Sequence, residues 1–345
     1  MIKEYNKCNL CPRNCNVDRD ITIGYCREKS DLHVARAALH MWEEPCISGK
    51  KGSGTVFFSG CNMGCVFCQN KAISRGEVGK IISVDRLVEI FYELEQKGAN
   101  NINLVTGDMF IPTIRKGIEI ARSRGFSLPF LLNTSSYLNL DTVRSLDGLI
   151  DIYLPDFKYI REQDAIRYSN APGYVEAAKT AIAEMVRQQP QCEFFEEKNE
   201  VQDKEENKEK NKEKNKEKDN PDGKISTEND GADNSKENEN QSQLLIMKRG
   251  VVVRHLLMPG MLIQSKLAVK YLYDTYGDSI YISLMNQYTP NGELSKFPEI
   301  DRKVTDAEYE SLIDYAAQIG VTNGFMQVGE TAEESFIPAF DCTGV

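Results

Sequence analysis

The sequence predicts an α/β fold: a partial (β/α)6 barrel preceded by a cysteine-rich, metal-binding N-terminal segment. Three observations lead there. Short apolar runs alternate with amphipathic stretches, as in parallel β/α architecture. The runs are apolar almost without interruption, the mark of strands buried on both faces. Each run exits into polar or backbone-permissive residues, and in a β/α barrel such exits share one mouth.

The predicted strands are 55–59, 101–106, 129–132, 149–154, 250–257 and 280–285. Between them, 84–97 reads as a helix opened by Ser83 as N-cap, and 111–124 as one with Pro112 near its start. Further helices are predicted over about 141–146 and 174–188, then 264–276 and 305–319. Residues 31–42 (DLHVARAALHMW) have helix-compatible spacing or form an extended arm. His33 and His40 are placed on a helix face, and Trp42 is expected to anchor the segment to the barrel. Tyr271, Tyr273 and Tyr276 share one predicted helix and read as packing residues.

Charge divides the chain unevenly. Residues 193–242 carry 17 acidic and 10 basic side chains, so most of the net −10 belongs to this Lys/Glu/Asn-rich stretch and only −3 to the rest. Its composition predicts a disordered insertion over 193–243, which a barrel tolerates at small entropic cost. The chain is thus divided into a cysteine-rich segment with connector (1–50), a barrel in two parts (51–192 and 244–330) around the insertion, and a tail (331–345) that covers the barrel mouth or, as its terminal position favours, frays. Near-neutral charge outside the insertion argues against nucleic acid as a partner. The polar N-terminus and the lack of a membrane-length apolar run predict a cytoplasmic protein with no membrane association.

Ten cysteines in metal-ligand spacings fit a reducing compartment. Cys8, Cys11, Cys15 and Cys26 form a candidate metal knuckle, punctuated by Pro12 and Gly24. So short a segment has almost no core of its own, so a metal would supply its folding energy. Zinc held by four thiolates is the simpler occupant and a second iron–sulfur cluster the rival. Cys46 is either a further ligand or packed, and Cys192 is an incidental thiol.

The stretch Gly60-Cys61-Asn62-Met63-Gly64-Cys65-Val66-Phe67-Cys68 directly follows the first strand. Three thiolates at C-x3-C-x2-C can hold a four-iron cubane and leave one iron without a protein ligand, open to something else. With Phe67 before the last cysteine, the stretch resembles the radical S-adenosylmethionine (radical SAM) superfamily. The phrases CNLCPRNC, EEPCISGKKGSGTVFFSGCNMGCVFCQN, NINLVTGDMF, DIYLPDFKY, RGVVVRHLLMPG and LMNQYTP narrow this to its pyruvate formate-lyase activating enzyme-related branch.

That resemblance implies a [4Fe-4S] cluster on Cys61, Cys65 and Cys68, with S-adenosylmethionine on the open iron. It implies a turn at Thr106-Gly107-Asp108 facing the cofactor's amino group and Lys158, beside Asp156, facing its carboxylate. Arg254, with neighbouring His255, and Asn133 complete the cofactor set. Two departures stand out: Thr-Gly-Asp replaces the branch's Gly-Gly-Glu, and Asn133 replaces an aspartate at a cation site. The implied activity is hydrogen abstraction from an unidentified substrate, a glycine of a partner enzyme by analogy, with flavodoxin or ferredoxin as electron donor. The alternatives are a non-catalytic electron carrier or scaffold, with Cys46 or Cys342 closing the cluster, and an RNA-modifying radical SAM enzyme.

Overall fold

A computed structural model describes residues 2–196, 245–290, 294–327 and 337–345. The strands, in chain order, are β1 (Leu32–His40), β2 (Ser53–Phe58), β3 (Lys80–Ile82), β4 (Ile102–Val105), β5 (Phe130–Thr134), β6 (Ile152–Pro155), β7 (Glu193–Glu196), β8 (Leu245–Leu256), β9 (Tyr281–Met285) and β10 (Gly324–Met326). They lie in the order β10-β9-β8-β6-β5-β4-β2-β1-β3, with β7 paired to β8. The run from β2 to β10 is parallel throughout. All six predicted strands are present, and the sheet curls without closing, as a partial barrel.

The helices Val84–Gln96, Ile111–Ser123, Tyr174–Gln188, Leu262–Tyr276 and Asp306–Gln318 fall where the periodicity placed them. Ser83 Oγ accepts from Arg86 N as the predicted cap, and Pro112 sits in the first turn. Each helix lays its apolar stripe on the outward residues of the strands. Phe91, Phe126 and Phe130 meet in tilted and edge-on pairs with centroids 5.0–6.2 Å apart at one such seam. Tyr271, Tyr273 and Tyr276 pack against the same outer core, as the sequence suggests.

The inward residues build a column. Its base is apolar: Leu131, Ile152, Leu154 and Val252 enclose Cys46 and Ile47. The plug comes from the short helix Pro45–Ser48, whose carbonyls at Ile47 and Ser48 accept from Asn101 and Asn100 side chains. Cys46 is therefore packed.

Several expectations need correction. Of the two readings of residues 31–42 the extended one holds: residues 32–40 are a strand and not a helix, because pairing on both edges, with β2 and β3, outweighs the helix propensity of an Ala-rich run. His33 and His40 accordingly lie on a strand, and His33 Nδ1 is 3.1 Å from Glu28 Oε1. Trp42 stays 63% exposed at the cavity rim, so it does not anchor the segment by burial. Residues 193–196, inside the predicted insertion, form β7, which sets Glu196 beside Leu245. The remainder of that prediction, 197–243, lies outside the described residues. The tail at 337–345 is docked rather than frayed. Cys342 N donates to Ala35 O at 3.0 Å and Ala37 N to Thr343 O at 2.9 Å, and Phe340 meets Phe57 edge-on.

The cysteine-rich segment packs directly on the loop after β2. Gly60 adopts φ +81°, and a Cβ there would strike Glu28 and come within 2.7 Å of Cys26 O. Gly98 has φ +87° but nothing within 4 Å. Gly98→Ala is therefore expected to cost about 1 kcal/mol, the strain of the backbone alone. Gly60→Ala should cost clearly more, since Glu28 and Cys26 must move as well; equal shifts in melting midpoint would refute this packing.

Candidate functional site

At the carboxyl ends of the parallel strands lies a cavity of about 260 Å3. Cys61, Cys65 and Cys68 line one side, and Asp156, Lys158 and Arg254 line another. Of the other predicted site residues, Thr106 and Asn133 line it; Gly107, Asp108 and His255 do not.

The cysteine loop is held from two directions. Gly64 N and Val66 N donate to the carbonyls of Ser169 and Tyr168, both at 2.9 Å, and Ser169 Oγ donates to Cys65 Sγ at 2.9 Å. These partners end the helix Glu162–Ser169, which the sequence reading missed. On the other side Arg13 Nε donates to Asn62 O at 2.9 Å. Burial pushes the Cys65 thiol up to about 11 and Cys61 well above its ordinary value, with neighbouring cysteines adding to the cost. Cys61 and Cys65 so placed resist becoming free thiolates and are suited to sharing their charge with metal. Neither Cys46 nor Cys342 lines the cavity to supply a fourth ligand.

Across the cavity, Arg254 gathers three elements. Its Nη1 donates to Glu43 Oε2 at 3.0 Å and its Nη2 to Asn133 Oδ1 at 2.6 Å. Its Nε lies 3.4 Å from Asp156 Oδ1, within ion-pair range but without hydrogen-bond geometry. Asp156 Oδ2 accepts from Lys158 Nζ at 2.6 Å. Burial opposes every charge here, yet pairing wins: Lys158 and Arg254 hold Asp156 below its ordinary value, and Asp156 holds Lys158 above its own. Arg254 is likewise raised, burial being outweighed by Asp156, Glu44 and Glu43. Glu43 also accepts from Asn103 Nδ2 at 3.0 Å. No local spacing signals Glu43, which meets its partner from more than two hundred residues away.

Strand alternation separates Arg254 from His255. Arg254 faces the cavity, whereas His255 faces the helices, its Nδ1 donating to Phe157 O at 2.7 Å. Asp108 is turned beneath the cysteine loop, where its Oδ2 accepts from Ser135 Oγ at 3.2 Å and Asn62 Nδ2 at 3.4 Å. Burial pushes its carboxyl up to about 6. Thr106 has φ +56°, a strained conformation for a β-branched residue, and its N–H donates to Asn133 O at 2.9 Å.

Residues 55–190, which contain the three cysteines, Asp156 and Lys158, match the family model described as Radical SAM superfamily. Arg254, Glu43 and the N-terminal cysteines lie outside that match. Over 322 residues the chain is 24% identical to the uncharacterized protein MJ0674 of Methanocaldococcus jannaschii, covering 90% of this chain and 75% of that protein. Solved structures with a similar course include Streptococcus suis SuiB bound to S-adenosylmethionine, at 11% identity and TM-score 0.43, covering 81% of this chain and 51% of SuiB. Another is anSMEcpe with bound AdoMet and Cp18Cys peptide, at 8% identity and TM-score 0.45, covering 76% of this chain and 56% of that one. The maturase HydG from Carboxydothermus hydrogenoformans is a third, at 12% identity and TM-score 0.43, covering 82% and 59%. The chain spans about half the length of these solved chains. Among the described residues no helix is long and apolar enough to cross a membrane.

Burial holds the folded pKa of His255 down to about 4, against an ordinary 6.5. Between those values the unfolded chain binds a proton that the folded chain refuses. This contribution to stability is therefore full above about pH 6.5 and falls as the pH drops toward 4, by roughly 3 kcal/mol. His255→Gln keeps a donor for the Phe157 carbonyl and removes the titration. The difference in melting midpoint between the two proteins should then change across pH 4–6.5, and a constant difference would contradict the assignment.

Proposed function

We propose that this chain, whose residues 55–190 match the radical SAM superfamily, is a radical enzyme that cleaves S-adenosylmethionine reductively and abstracts hydrogen from a substrate. The observation that carries this reading is one cavity bounded by three cysteines without a fourth and, opposite them, by the Asp156–Lys158–Arg254 network. A [4Fe-4S] cluster and S-adenosylmethionine are the family's cofactors. When bound, a cluster reduced by the electron donor would supply one electron to the sulfonium of S-adenosylmethionine, whose C–S bond would break to give methionine and a 5′-deoxyadenosyl radical.

The chain's own residues bind, orient and shield. Cys61, Cys65 and Cys68 would hold the cluster. Lys158, kept cationic by Asp156, would take the cofactor's carboxylate. The left-handed turn at Thr106, on the cavity wall, would offer backbone oxygen to the amino group. Phe57, Met63, Phe67, Val105 and Met285 supply an apolar lining that keeps water from a reactive intermediate. Asn133 accepts from Arg254 with a neutral amide, so this position serves the guanidinium and offers no charge to a cation.

Within this reading the activating-enzyme-like role, with a glycine of a partner protein as substrate, is the finer proposal. It is supported by the DIYLPDFKY and RGVVVRHLLMPG phrases. Flavodoxin or ferredoxin would supply the electron. Closure of the cluster into a simple electron carrier is disfavoured by the positions of Cys46 and Cys342 away from the cavity.

Anaerobic reconstitution followed by dithionite and S-adenosylmethionine should give 5′-deoxyadenosine and methionine in equal amounts, and Cys61→Ala should give neither. Lys158→Met should raise the S-adenosylmethionine concentration needed for half-maximal turnover at least about tenfold, the loss of roughly 1.4 kcal/mol of carboxylate binding. Full iron loading of the wild type with no cleavage would overturn the proposal.

A further inference from the structure

Reductive cleavage of S-adenosylmethionine takes one electron per turnover from outside the chain, while the cavity has to hold the cofactor and the substrate. The outer side of the cysteine loop is then the short way in for the electron, and the N-terminal segment covers it. Cys8, Cys11, Cys15 and Cys26 gather there around a small space of about 20 Å3 that Asn62 of the loop also lines. Beside it, residues 24–29 form a single layer between the loop and the surface.

Burial alternates along that layer. Cys26 and Glu28 are buried, and a Cβ at Gly60 would strike the Glu28 side chain and come within 2.7 Å of Cys26 O. Tyr25, Arg27 and Lys29 face the other way and are exposed. Backbone bonds hold this arrangement: Gly24 N donates to Glu28 O at 3.3 Å and Arg27 N to Gly24 O at 3.0 Å. Arg27 also borders the far end of the loop, since a Cβ at Gly76 would lie 3.9 Å from its own Cβ, and exposed Arg75 precedes that glycine. Tyr25 spans the layer. It is 39% exposed, yet its Oη accepts from Asn170 Nδ2 at 2.9 Å and would lie 2.9 Å from a Cβ at Gly64, between Cys61 and Cys65.

The outward face combines cations with apolar surface. Ile21 and Ile23 are 75% and 54% exposed on the same turn as Tyr25. Among the described residues Arg27, Lys29 and Arg75 have no ion-pair partner. The exposed carboxylates nearby in sequence are Asp31 and Glu77. Residues 1–82 carry 12 basic and 8 acidic side chains, a net of +4 in a chain of −10. A cationic face on an otherwise acidic molecule steers and orients an acidic partner. Isoleucine and tyrosine at its centre supply the apolar contact that a docked protein excludes from water.

We propose that Ile21, Ile23, Tyr25, Arg27, Lys29 and Arg75 form the docking face for an acidic one-electron carrier protein. One electron leaves the reduced carrier and reduces the cluster held at Cys61, Cys65 and Cys68; no proton or group crosses with it. The assignment rests on the radical reading of the cavity, and binding and chemistry are therefore measured apart.

The test titrates the reconstituted full-length chain with an acidic flavodoxin at low ionic strength, by calorimetry, and separately follows 5′-deoxyadenosine formation driven by reduced flavodoxin or by dithionite. Arg27→Glu/Lys29→Glu should weaken flavodoxin binding at least about tenfold and slow flavodoxin-driven formation by a similar factor, while dithionite-driven formation stays within about twofold of the wild type. Rising salt should narrow the difference in binding. Lys50→Glu/Lys51→Glu alters net charge equally, on exposed residues before β2 at the opposite end of the barrel, and should bind as the wild type does. An equal loss of binding in both variants, no loss in the first, or a wild type that does not bind flavodoxin would overturn the docking face. Binding as expected without any deoxyadenosine from dithionite would overturn the radical reading alone.

Discussion

A buried arginine governs the interior of this barrel. Arg254 sits above an apolar plug and below an open cavity, where an unpaired charge could not persist. Its partners come from three places in the chain: Glu43 from the connector before β2, Asn133 from the end of β5 and Asp156 from the end of β6. Removing one partner from such a group typically costs about 3–5 kcal/mol, because the remaining charge is stranded. The set therefore fixes more than a site. It ties the entry loop into the barrel, and with the loop comes the Pro45–Ser48 plug that fills the base.

A second constraint acts on the outer side of the cysteine loop. Gly60 and Gly64 flank Cys61 and Cys65, and each marks a close approach by the N-terminal segment: Cys26 O and Glu28 at Gly60, Tyr25 Oη at Gly64. The loop is thus pressed between that segment and the end of the Glu162–Ser169 helix. Its conformation depends on two elements far apart in sequence and lies under neither's control alone. The thiols face the cavity because the backbone has no other side left open.

The legible part of this architecture was the part that local chemistry dictates. Parallel strands buried on both faces declare themselves by composition, and Ser83 and Pro112 mark helix starts wherever the helix packs. The C-x3-C-x2-C spacing was legible for the same reason, whereas the roles of Asp156 and Lys158 came from the resemblance of DIYLPDFKY to a family phrase. Residues 32–40 were not, because their fate is decided by edge pairing with β2 and β3. Glu43 opens the EEPCISGK phrase, but its role went unread because its meaning lies in Arg254. His255 could have been excluded from the cavity by alternation alone, since it neighbours Arg254 on a strand with opposite faces. Asp108 could not, because it follows β4 in a turn whose direction the pattern does not set.

The shared carboxylate explains how the network can receive a ligand without losing its balance. Asp156 is divided between Lys158, at 2.6 Å, and Arg254 Nε, at 3.4 Å without a formed hydrogen bond. A carboxylate arriving at Lys158 would compete with Asp156 for the ammonium. Asp156 need not then be stranded, because a short movement completes its bond to the unsatisfied Nε. Arg254 can accept that shift because Glu43 and the neutral Asn133 occupy its other two nitrogens. An aspartate at 133 would hold the guanidinium more tightly and add a further negative charge beside Glu43 and Asp156. The neutral amide of Asn133 therefore suits a network whose cations are already paired, with Asp156 shared between two of them.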